Sequence, residues 1–391
     1  MEAWSARIVG WSHSEFGRLE GEDVESLAVR AVRGALRDAD VGAQDVDEIF
    51  VGHFNAGFCP QSFTASLALQ ADERLRFTPA TRVENACATG SAAVHQALRS
   101  IESGRARIAL VLGVEKMTDT AGAQVGTNLL RASYLKEEGD TPGGFAGVFG
   151  RIAERYFARY GDQSDALARI AAKNHANGAA NPLAQIRKDL GYDFCRTVSE
   201  KNPVVAGPLK RTDCSPVSDG AVALVLAQAD LAAAFPRAVG FRAAEHVQDF
   251  LPMSRRDIVA FEGCGRAWSH ALERARVRLE DLSFVETHDC FTIAELIEYE
   301  AMGLAAPGKG ARLVADGVTA KDGRLPVNPS GGLKAKGHPI GATGVSMHAL
   351  AAMQLCGTAG AMQIPGATLA GIFNMGGAAV ANYVSILERV R

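Results

Sequence analysis

The stretch ALRDADVGAQDVDEIFVGH, residues 35–53, predicts an amphipathic helix, a short turn and an apolar strand that ends at a histidine. A second stretch, ALERARVRLEDLSFVETH at residues 271–288, repeats this order, and one single-residue gap aligns the two. Each copy carries an acidic residue in its turn, Asp45 in the first and Asp281 in the second. The repetition indicates that one helix–strand unit occurs twice in the chain.

Further segments follow both copies in the same order and extend the duplication. Each half continues with a strand-like segment, a helix rich in small residues and two more apolar strands. These segments are residues 81–101, 107–116 and 218–228 in the first half, and 325–353, 367–377 and 376–387 in the second. Alternating strands and helices of this kind predict an α/β fold with a mostly parallel sheet that is covered on both faces.

The two halves differ in the spacing of their last two strands. These strands almost touch in the second half, whereas about 100 residues separate Val114 from Ser218 in the first, far more than a normal connection. We therefore predict a first half at 1–228, with an inserted loop domain at about 117–214, and a second half at 229–391. Insertions of this size are often placed over a functional site, and a dimerisation or stability element is the alternative.

The composition favours a globular protein with a large core. The 391 residues are 47% hydrophobic and 22% charged, and the net charge of −3 with no basic stripe argues against a nucleic-acid partner. No run of 18 apolar residues predicts a membrane span, and the N-terminal residues show no signal-peptide pattern. Seven scattered cysteines without a CxxC pair are typical of free thiols in a reducing cytoplasm.

Cys87 is the first candidate for chemistry, in the segment VENACATGSAAVHQAL at residues 83–98. It lies where an apolar strand is predicted to end and a helix of small residues to begin. A thiol at a helix N-terminus has a lowered pKa, which favours the nucleophilic thiolate. The alternative is a buried structural cysteine, which is common in apolar cores.

A second group of reactive side chains occurs in VETHDCF, residues 285–291. His288, Asp289 and Cys290 directly follow an apolar strand, and the carboxyl ends of strands are where sites form in α/β sheets. Any one of them alone would be interpreted as a loop polar group or a core thiol. Three such residues in a row favour a functional site.

The glycine-rich segment NPSGGLKAKGHPIGATG, residues 328–344, surrounds His338. We expect His338 to be the base that takes the proton from Cys87, although a plain loop would also explain the glycines. Lys334 and Lys336 are expected to be solvated surface charges. The spacing differs from that of a phosphate-binding Walker A loop, so a nucleotide site of that kind is excluded.

Two weaker hypotheses concern an oxyanion site and a metal. In NMGGAAV, residues 374–380, a glycine pair between two strands offers free backbone N–H groups to an oxyanion, or forms a simple hairpin turn. Cysteine and histidine clusters also bind zinc, so the metal hypothesis is that Cys87, His288, Cys290 and His338 converge on one ion. Their spacing lacks a CxxC or HxxxE pattern, and we predict no metal.

Together and in this order, these segments resemble the thiolase superfamily over essentially the whole chain. The stretches GPLKRTDCSPVSDGAVALVL, residues 207–226, and 328–344 look like specific signatures of that superfamily. HDCF at His288–Phe291 is similar to the sterol-carrier-protein-type thiolases. The resemblance implies two βαβαβαββ halves that stack as five α/β/α/β/α layers.

The resemblance also implies an activity in fatty acid or lipid metabolism. Such enzymes condense two acyl-CoA molecules or cleave a 3-ketoacyl-CoA, with coenzyme A as substrate or product and no permanently bound cofactor. In this scheme His338 deprotonates Cys87, which becomes acylated, and Cys290 moves the α-proton of the second acyl-CoA. Backbone N–H groups of Cys87 and Gly376 hold the acyl-enzyme oxyanion, while His338 and a water held by His288 hold the enolate.

One departure from the family pattern keeps alternatives open. Common thiolases carry their acid/base cysteine in a Cys-x-Gly motif near the C-terminus, and Asn374 occupies that position here. Cys290 would supply the missing thiol. The alternatives are a decarboxylating, ketosynthase-like condensing enzyme, which needs no such base, and a non-catalytic protein that binds acyl-CoA or lipid and acts with a partner.

Assembly and the role of the insertion are also expectations from the resemblance. It implies a homodimer or homotetramer, and a small zinc/oligonucleotide-fold protein as a possible partner. The insertion would shape the coenzyme A and acyl pocket. Its segment KNHANGAANP, residues 173–182, either lines that pocket or is a helix end followed by a turn.

Overall fold

The structure, a computed structural model, describes residues 4–390. Each half supplies strands and helices in alternation. The first half contains β1 (Ala6–His13), α1 (Val24–Ala39), β2 (Glu48–Gly52), β3 (Ala80–Val83), α2 (Thr89–Glu102) and β4 (Ile108–Glu115). The inserted segment follows with α3 (Gly122–Leu130), α4 (Leu135–Glu138), α5 (Gly144–Tyr160), α6 (Ser164–Ala179), α7 (Gly191–Arg196), β5 (Val204–Ala206) and β6 (Leu209–Lys210). The first half then ends with β7 (Gly220–Gln228).

The second half repeats the pattern without a long insertion before its last strand. It contains β8 (Val239–Gln248), α8 (Glu262–Ala275), β9 (Phe284–Glu286), α9 (Thr292–Ala301), α10 (Gly310–Ala315), α11 (Gly332–Lys336), α12 (Ile340–Leu355), β10 (Leu369–Gly376) and β11 (Ala381–Arg389). No helix in residues 4–390 is long and apolar enough to cross a membrane.

The duplicated unit has the same local geometry in both halves. Helices α1 and α8 both end at a non-glycine residue in the left-handed region, Asp40 with φ 54° and Arg276 with φ 55°. A residue in this conformation stops a helix and redirects the chain. A single 3₁₀ turn then leads into β2 or β9. The predicted duplication is therefore a structural repeat.

Nine strands form one continuous sheet in the order β3-β2-β4-β7-β1-β8-β11-β10-β9. Strands of the first half occupy one side of this order and strands of the second half the other. The two groups meet where β1 pairs with β8 through only two residue pairs, Arg7 with Gly240 and Ile8 with Val239. The sheet is thus two smaller sheets joined by a short seam.

The expectation of a mostly parallel sheet is wrong. Within the part of the chain that the structure describes, β2/β3, β2/β4 and β9/β10 are parallel, and the other five neighbouring pairs are antiparallel. Parallel pairs arise where a helix carries the chain back across the sheet. The last strand of each half is instead antiparallel to the strand before it: β7 pairs antiparallel with β4, and β11 with β10. Strands β1 and β8 also pair only with antiparallel neighbours.

Helices α2 and α12 lie between the two groups of strands. Helix α12 packs against β4 and β7 on one side and against β10 and β11 on the other. Helix α1 covers β1, β4 and β7 from outside, and α8 covers β8 and β11. This arrangement gives the five α/β/α/β/α layers of the expected fold.

The small residues of α2 and α12 allow the two central helices to approach closely. A Cβ on Gly90 of α2 would lie 2.7 Å from the backbone N of Gly344, and one on Gly344 would lie 2.1 Å from the N of Ser91. Both distances are far below van der Waals contact, so a larger residue would force the helices apart. Because Cys87 precedes α2 and His338 precedes α12, this packing also fixes the distance between those two residues.

The insertion lies against the glycine-rich segment at residues 328–337. Asn177 Nδ2 donates to the carbonyl of Asn328 at 2.9 Å, and Asn181 Nδ2 donates to that of Ser330 at 2.9 Å. The backbone N–H of Gln185 bonds the carbonyl of Lys336 at 2.9 Å. Helix α6 and the residues after it therefore cover the loop that carries His338.

Candidate functional site

Cys87 lies in a tight turn between β3 and α2. Ala86 has φ 48°, a left-handed conformation that is strained for a residue with a Cβ and is typical of functional turns. The turn is closed by hydrogen bonds from Ala88 N to Asn85 O, 3.1 Å, and from Asn85 N to Thr89 Oγ1, 2.8 Å. Helix α2 begins at Thr89, so the thiol lies just ahead of the helix N-terminus, as the sequence predicts.

Three of the predicted site residues converge. The Sγ of Cys87, a ring nitrogen of His288 and a ring nitrogen of His338 lie within 4.8 Å of one another. The two imidazole rings meet edge to face, with centroids 5.1 Å apart and an interplanar angle of 83°. All three side chains are buried. A thiol and two imidazole rings therefore share one small, buried volume.

The pKa of the Cys87 thiol is raised, to about 12, chiefly because burial disfavours the charged thiolate. A hydrogen bond from the backbone N–H of Gly377 acts in the opposite direction, and the charge of Glu84 raises the pKa further. The expectation that the helix end yields a thiolate at rest is therefore wrong, because desolvation outweighs the favourable dipoles. The resting side chain is a thiol that needs a base.

His338 can supply that base. Its Nδ1 lies 2.7 Å from the Oγ1 of Thr343, and the Thr343 hydroxyl donates its only proton to the carbonyl of Pro339 at 3.0 Å. The hydroxyl must therefore accept from Nδ1–H, which leaves the lone pair on Nε2. Nε2 is buried without a hydrogen-bond partner. Burial and the charge of Lys336 lower the pKa of His338 to about 3, so the ring is neutral.

Asn374 links the second histidine to Cys87. Its Nδ2 lies 2.9 Å from Nδ1 of His288 and 3.1 Å from the carbonyl oxygen of Cys87. Burial, followed by the charges of His338 and Lys336, lowers the pKa of His288 well below its ordinary value. The residue that replaces the family's cysteine is thus a hydrogen-bonding member of the site.

Cys290 lies beside this group. Its carbonyl accepts from the N–H of Ser215 at 2.9 Å, and Phe291 forms an antiparallel bridge with Cys214. Burial raises the pKa of Cys290 well above its ordinary value, and the neighbouring Cys87 raises it further. Across the described residues, however, the group whose members all lie within 4.8 Å of one another does not include Cys290.

Asp289, between His288 and Cys290 in the chain, has a different role. It accepts hydrogen bonds from Leu333 N at 2.6 Å, Lys334 N at 3.2 Å and Asn174 Nδ2 at 2.7 Å. A Cβ on Gly332 would lie 2.3 Å from the carboxylate, so that position requires glycine. Burial raises the pKa of Asp289 to about 7. Asp289 therefore fixes the HDCF loop to α11 and to α6.

The glycine pair after β10 approaches the turn that carries Cys87. A Cβ on Gly376 would lie 2.4 Å from the carbonyl oxygen of Asn85. The N–H that bonds the sulfur of Cys87 belongs to Gly377, the second residue of the glycine pair, whereas the resemblance implies Gly376. The pattern Gly-Gly was the available signal. Arg256 holds this turn from behind, since its Nη1 donates to the carbonyl of Ala378 at 2.7 Å.

The expectation that two lysines are solvated is wrong. Lys334 is 2% exposed and Lys336 is 0% exposed. The insertion covers them, because Gln185 N and Ile186 N bond the carbonyls of Lys336 and Ala335. The charge of Lys336 helps to keep both site histidines neutral. The same charge opposes a metal cation at the three converging side chains, although their spacing would suit one.

A cleft of about 470 Å³ lies beside the HDCF loop, with Cys214 and Ser215 in its wall. Its lining residues, all within the described chain, include no carboxylate. They include four basic side chains, which are His175, Lys201, Arg211 and Lys334. Neither ring nitrogen of His175 has a hydrogen-bond partner. His175 comes from KNHANGAANP, so the structure places part of that segment in a cleft wall.

The fold and the site define an α/β protein with duplicated halves and a buried cysteine beside two histidines. Sequence models of two families match it, "Thiolase, N-terminal domain" over residues 6–230 and "Thiolase C-terminal domain-like" over residues 244–389. The chain belongs to the thiolase family.

Similar proteins support the same assignment. An acetyl-CoA acetyltransferase of Methanothermobacter thermautotrophicus is 36% identical over 388 residues, which are 98% of this chain and 99% of that protein. Sterol carrier protein 2 of Homo sapiens is 33% identical over 94% of this chain and 69% of its own length. A solved structure described as "Ltp2-ChsH2(DUF35) aldolase" shares the fold with a TM-score of 0.84 at 22% identity, covering 100% of this chain and 99% of that one.

Proposed function

We propose that this protein is a thiolase-type acyl-CoA C-acyltransferase. It condenses two acyl-CoA molecules, or cleaves a 3-ketoacyl-CoA with coenzyme A, through an acyl group carried on Cys87. The observation that carries the proposal is the cluster in which the thiol of Cys87 lies within 4.8 Å of a ring nitrogen of His338. The full-length relative named acetyl-CoA acetyltransferase supports it.

In the acylation step, the sulfur of Cys87 attacks the thioester carbonyl while its proton moves to Nε2 of His338. The leaving thiolate of coenzyme A takes the proton of Cys290 as the acyl-enzyme forms, which leaves His338 protonated and Cys290 as a thiolate. Backbone N–H groups of Cys87 and of the Gly376–Gly377 pair stabilise the oxyanion, and one such donor contributes about 3 kcal/mol in comparable sites. The raised thiol pKa keeps Cys87 protonated until substrate arrives.

In the condensation step, Cys290 removes the α-proton of the second acyl-CoA. Its pKa is raised well above the ordinary value, so the thiolate that the acylation step leaves at Cys290 is a strong base. Protonated His338 and His288 stabilise the enolate oxygen. The enolate carbon attacks the acyl group on Cys87, and the sulfur that leaves takes its proton back from His338. Neither step calls on a metal or an organic cofactor other than coenzyme A.

The basic cleft is the proposed entry for coenzyme A. Lys201, Arg211 and Lys334 would face its phosphates, and no acidic side chain among the lining residues opposes them. The contact between Ser215 and Cys290 places the cleft beside the reacting thiols. The insertion from about residue 117 to 214 supplies most of this wall, so we assign it to substrate binding.

Assembly follows from an open sheet edge. Strand β3 is an end strand, and its outer edge pairs with no strand among the described residues. Phe63 and Phe77 near that edge are 80% and 84% exposed. We propose that a second copy of the chain pairs along β3 and covers these rings, and that a tetramer would be a pair of such dimers. The seven free cysteines fit the cytoplasm.

A small zinc/oligonucleotide-fold partner remains part of the proposal. One solved neighbour is described as "Ltp2-ChsH2(DUF35) aldolase", which joins two names. Its sequence identity of 22% supports a shared fold alone. Co-purification of this chain with such a protein from a joint expression, compared with the chain expressed singly, tests the idea.

A decarboxylating condensing enzyme is the second candidate, because an amide occupies position 374 where the family pattern has a thiol. Such an enzyme forms its carbanion by losing CO₂ and needs no α-proton base. Cys290→Ala separates the two: it abolishes acetyl-CoA condensation if Cys290 is the base, and it leaves a reaction that starts from malonyl-CoA intact. A non-catalytic binding protein would show neither reaction.

The direct test of the proposed function is thiolysis across a panel of 3-ketoacyl-CoAs that differ in chain length and branching. Cys87→Ser is the control, because it retains the shape of the side chain and removes the thiol. We expect turnover of at least one member by the wild type and none above background by the variant. Equal rates for the two proteins, or no turnover of any member, would contradict the proposal.

A further inference from the structure

The amide of Asn374 is held in one orientation. It lies in β10 with no exposed surface, and its Nδ2 faces both the carbonyl oxygen of Cys87, at 3.1 Å, and Nδ1 of His288, at 2.9 Å. A backbone carbonyl can only accept a hydrogen bond, so the nitrogen of the amide, and not its oxygen, must face it. The same nitrogen therefore faces His288.

This orientation decides where His288 carries its proton. A primary amide nitrogen donates and does not accept, so Nδ1 of His288 must accept. A neutral imidazole with an accepting Nδ1 carries its hydrogen on Nε2. That Nε2 is buried and has no hydrogen-bond partner in the described structure. His288 thus carries a free donor, and its ring belongs to the group that also holds Cys87 and His338.

The two neighbouring histidines consequently hold opposite tautomers. His338 donates from Nδ1 to Thr343, which leaves a lone pair on its Nε2. His288 accepts at Nδ1 from Asn374 and carries N–H at Nε2. One ring can take a proton from the thiol, while the other can donate a hydrogen bond to an oxygen that becomes negative.

We propose that Asn374 is a positioning residue that fixes His288 in the Nε2–H tautomer, so that His288 donates directly to the enolate oxygen of the second acyl-CoA. The inference rests on the proposed function, and it replaces the water that the family resemblance implies between His288 and the enolate. A thiol at position 374 could donate or accept, and would leave the tautomer undetermined. The amide nitrogen of Asn374 can only donate, so it selects one tautomer of His288. This gives a physical reason for an asparagine at the position where common thiolases carry a cysteine.

The test separates the two half-reactions. Acylation of Cys87 is followed by quenched single-turnover mass spectrometry with acetyl-CoA, and enolate formation by deuterium uptake at the acetyl α-carbon in D₂O. Asn374→Asp keeps the shape but presents acceptors on both sides, so Nδ1 must now donate. We expect α-exchange to fall about 100-fold or more, the size typical of losing one oxyanion donor, while acylation changes about threefold or less.

Two further variants identify the route of the effect. In a His288→Asn background, Asn374→Asp should cost about threefold or less in α-exchange, because the group that it orients is gone. Gln354→Glu is the matched control for introducing a buried acid. Gln354 is also buried, and its Nε2 donates to a backbone carbonyl, that of Met362, at 2.8 Å. It lies in the last turn of α12, at the end of that helix opposite His338, and α-exchange should stay near wild type.

The outcomes distinguish this inference from the proposed function. If the wild type forms no acetyl-Cys87, the proposed function fails. If acylation proceeds but Asn374→Asp exchanges α-protons at the wild-type rate, or loses as much in the His288→Asn background, the positioning role is overturned. Histidine ¹⁵N shifts of the wild type give a readout independent of folding of any variant. They should show His288 protonated on Nε2, and protonation on Nδ1 would refute the inference.

Discussion

Removing the hydroxyl of Thr343 tests how the structure prepares His338. Thr343→Val is nearly isosteric at this fully buried position. It deletes the partner of Nδ1–H, 2.7 Å away, and the bond to the Pro339 carbonyl at 3.0 Å. A buried donor left unpaired costs about 1–3 kcal/mol. If this free energy destabilises the ring orientation that proton transfer needs, acylation of Cys87 slows by about 5- to 150-fold.

The assay is single-turnover acylation of Cys87 by acetyl-CoA at saturating substrate, with Thr343→Ser as the matched control. Serine retains the hydroxyl that accepts from Nδ1–H, so its rate should remain within about threefold of wild type. The loss in Thr343→Val should lie in kcat and not in KM, because Thr343 does not line the coenzyme A cleft. A valine variant that acylates at the serine rate would refute the assignment of the His338 tautomer.

Four other outcomes follow from the structure. Gly376→Ala places a Cβ 2.4 Å from the Asn85 carbonyl. Thiolysis should therefore be lost, and the free energy of unfolding measured in urea should fall by about 1–3 kcal/mol. An unchanged urea midpoint would argue against the close approach. Alkylation of Cys87 by iodoacetamide should keep rising above pH 9.0, because burial raises the thiol pKa to about 12; a plateau below pH 9.0 would contradict this. The folded state holds His338 neutral, with its pKa lowered from 6.5 to about 3. The contribution of neutral His338 to stability is therefore complete above pH 6.5 and is lost as the pH falls towards 3. If the urea midpoints of wild type and His338→Asn fall in parallel over this range, the lowered pKa of His338 is contradicted. Arg211→Met should raise the KM for coenzyme A about tenfold with little change in kcat. The control Arg18→Met, on the exposed surface, should leave that KM unchanged. Equal KM values for the two variants would show that Arg211 does not bind coenzyme A.

Much of the fold follows from local patterns. The two copies of the helix–strand unit share their order, their turn and their terminal histidine, and these features depend on short-range preferences. Cys87 and His338 could be named as candidates because each sits at a helix start beside a glycine-rich or small-residue segment. Their proximity needed the packing of α2 on α12, and the glycines of those helices gave the signal.

Other features depend on long-range packing and were mispredicted. The antiparallel pairs of β1, β7 and β8 join strands that are far apart in the chain, so no local sequence pattern predicts this pairing. Lys334 and Lys336 are buried only because the insertion covers α11, and in the sequence they resemble any surface lysines. The raised pKa of Cys87 likewise depends on burial that the stretch around it does not encode.

The finer details of the site required coordinates. Gly376 and Gly377 are adjacent glycines. Which of their two N–H groups bonds the sulfur of Cys87 depends on the position of the turn after β10 to within one residue. Asn374 departs from the family pattern, and its effect on His288 is visible only when both of its hydrogen-bond partners are known. The position of Cys290 beside the cluster, and not inside it, is also set by the HDCF loop as a whole.

Covalent capture tests the central claim most directly. The protein is incubated with acetyl-CoA, quenched in acid, digested and examined by mass spectrometry for the peptide that carries each of its cysteines. The account predicts an acetyl group on Cys87 in the wild type and a much slower appearance of that adduct in His338→Asn. An acetyl group found first on Cys290, or on no cysteine at all, would contradict it.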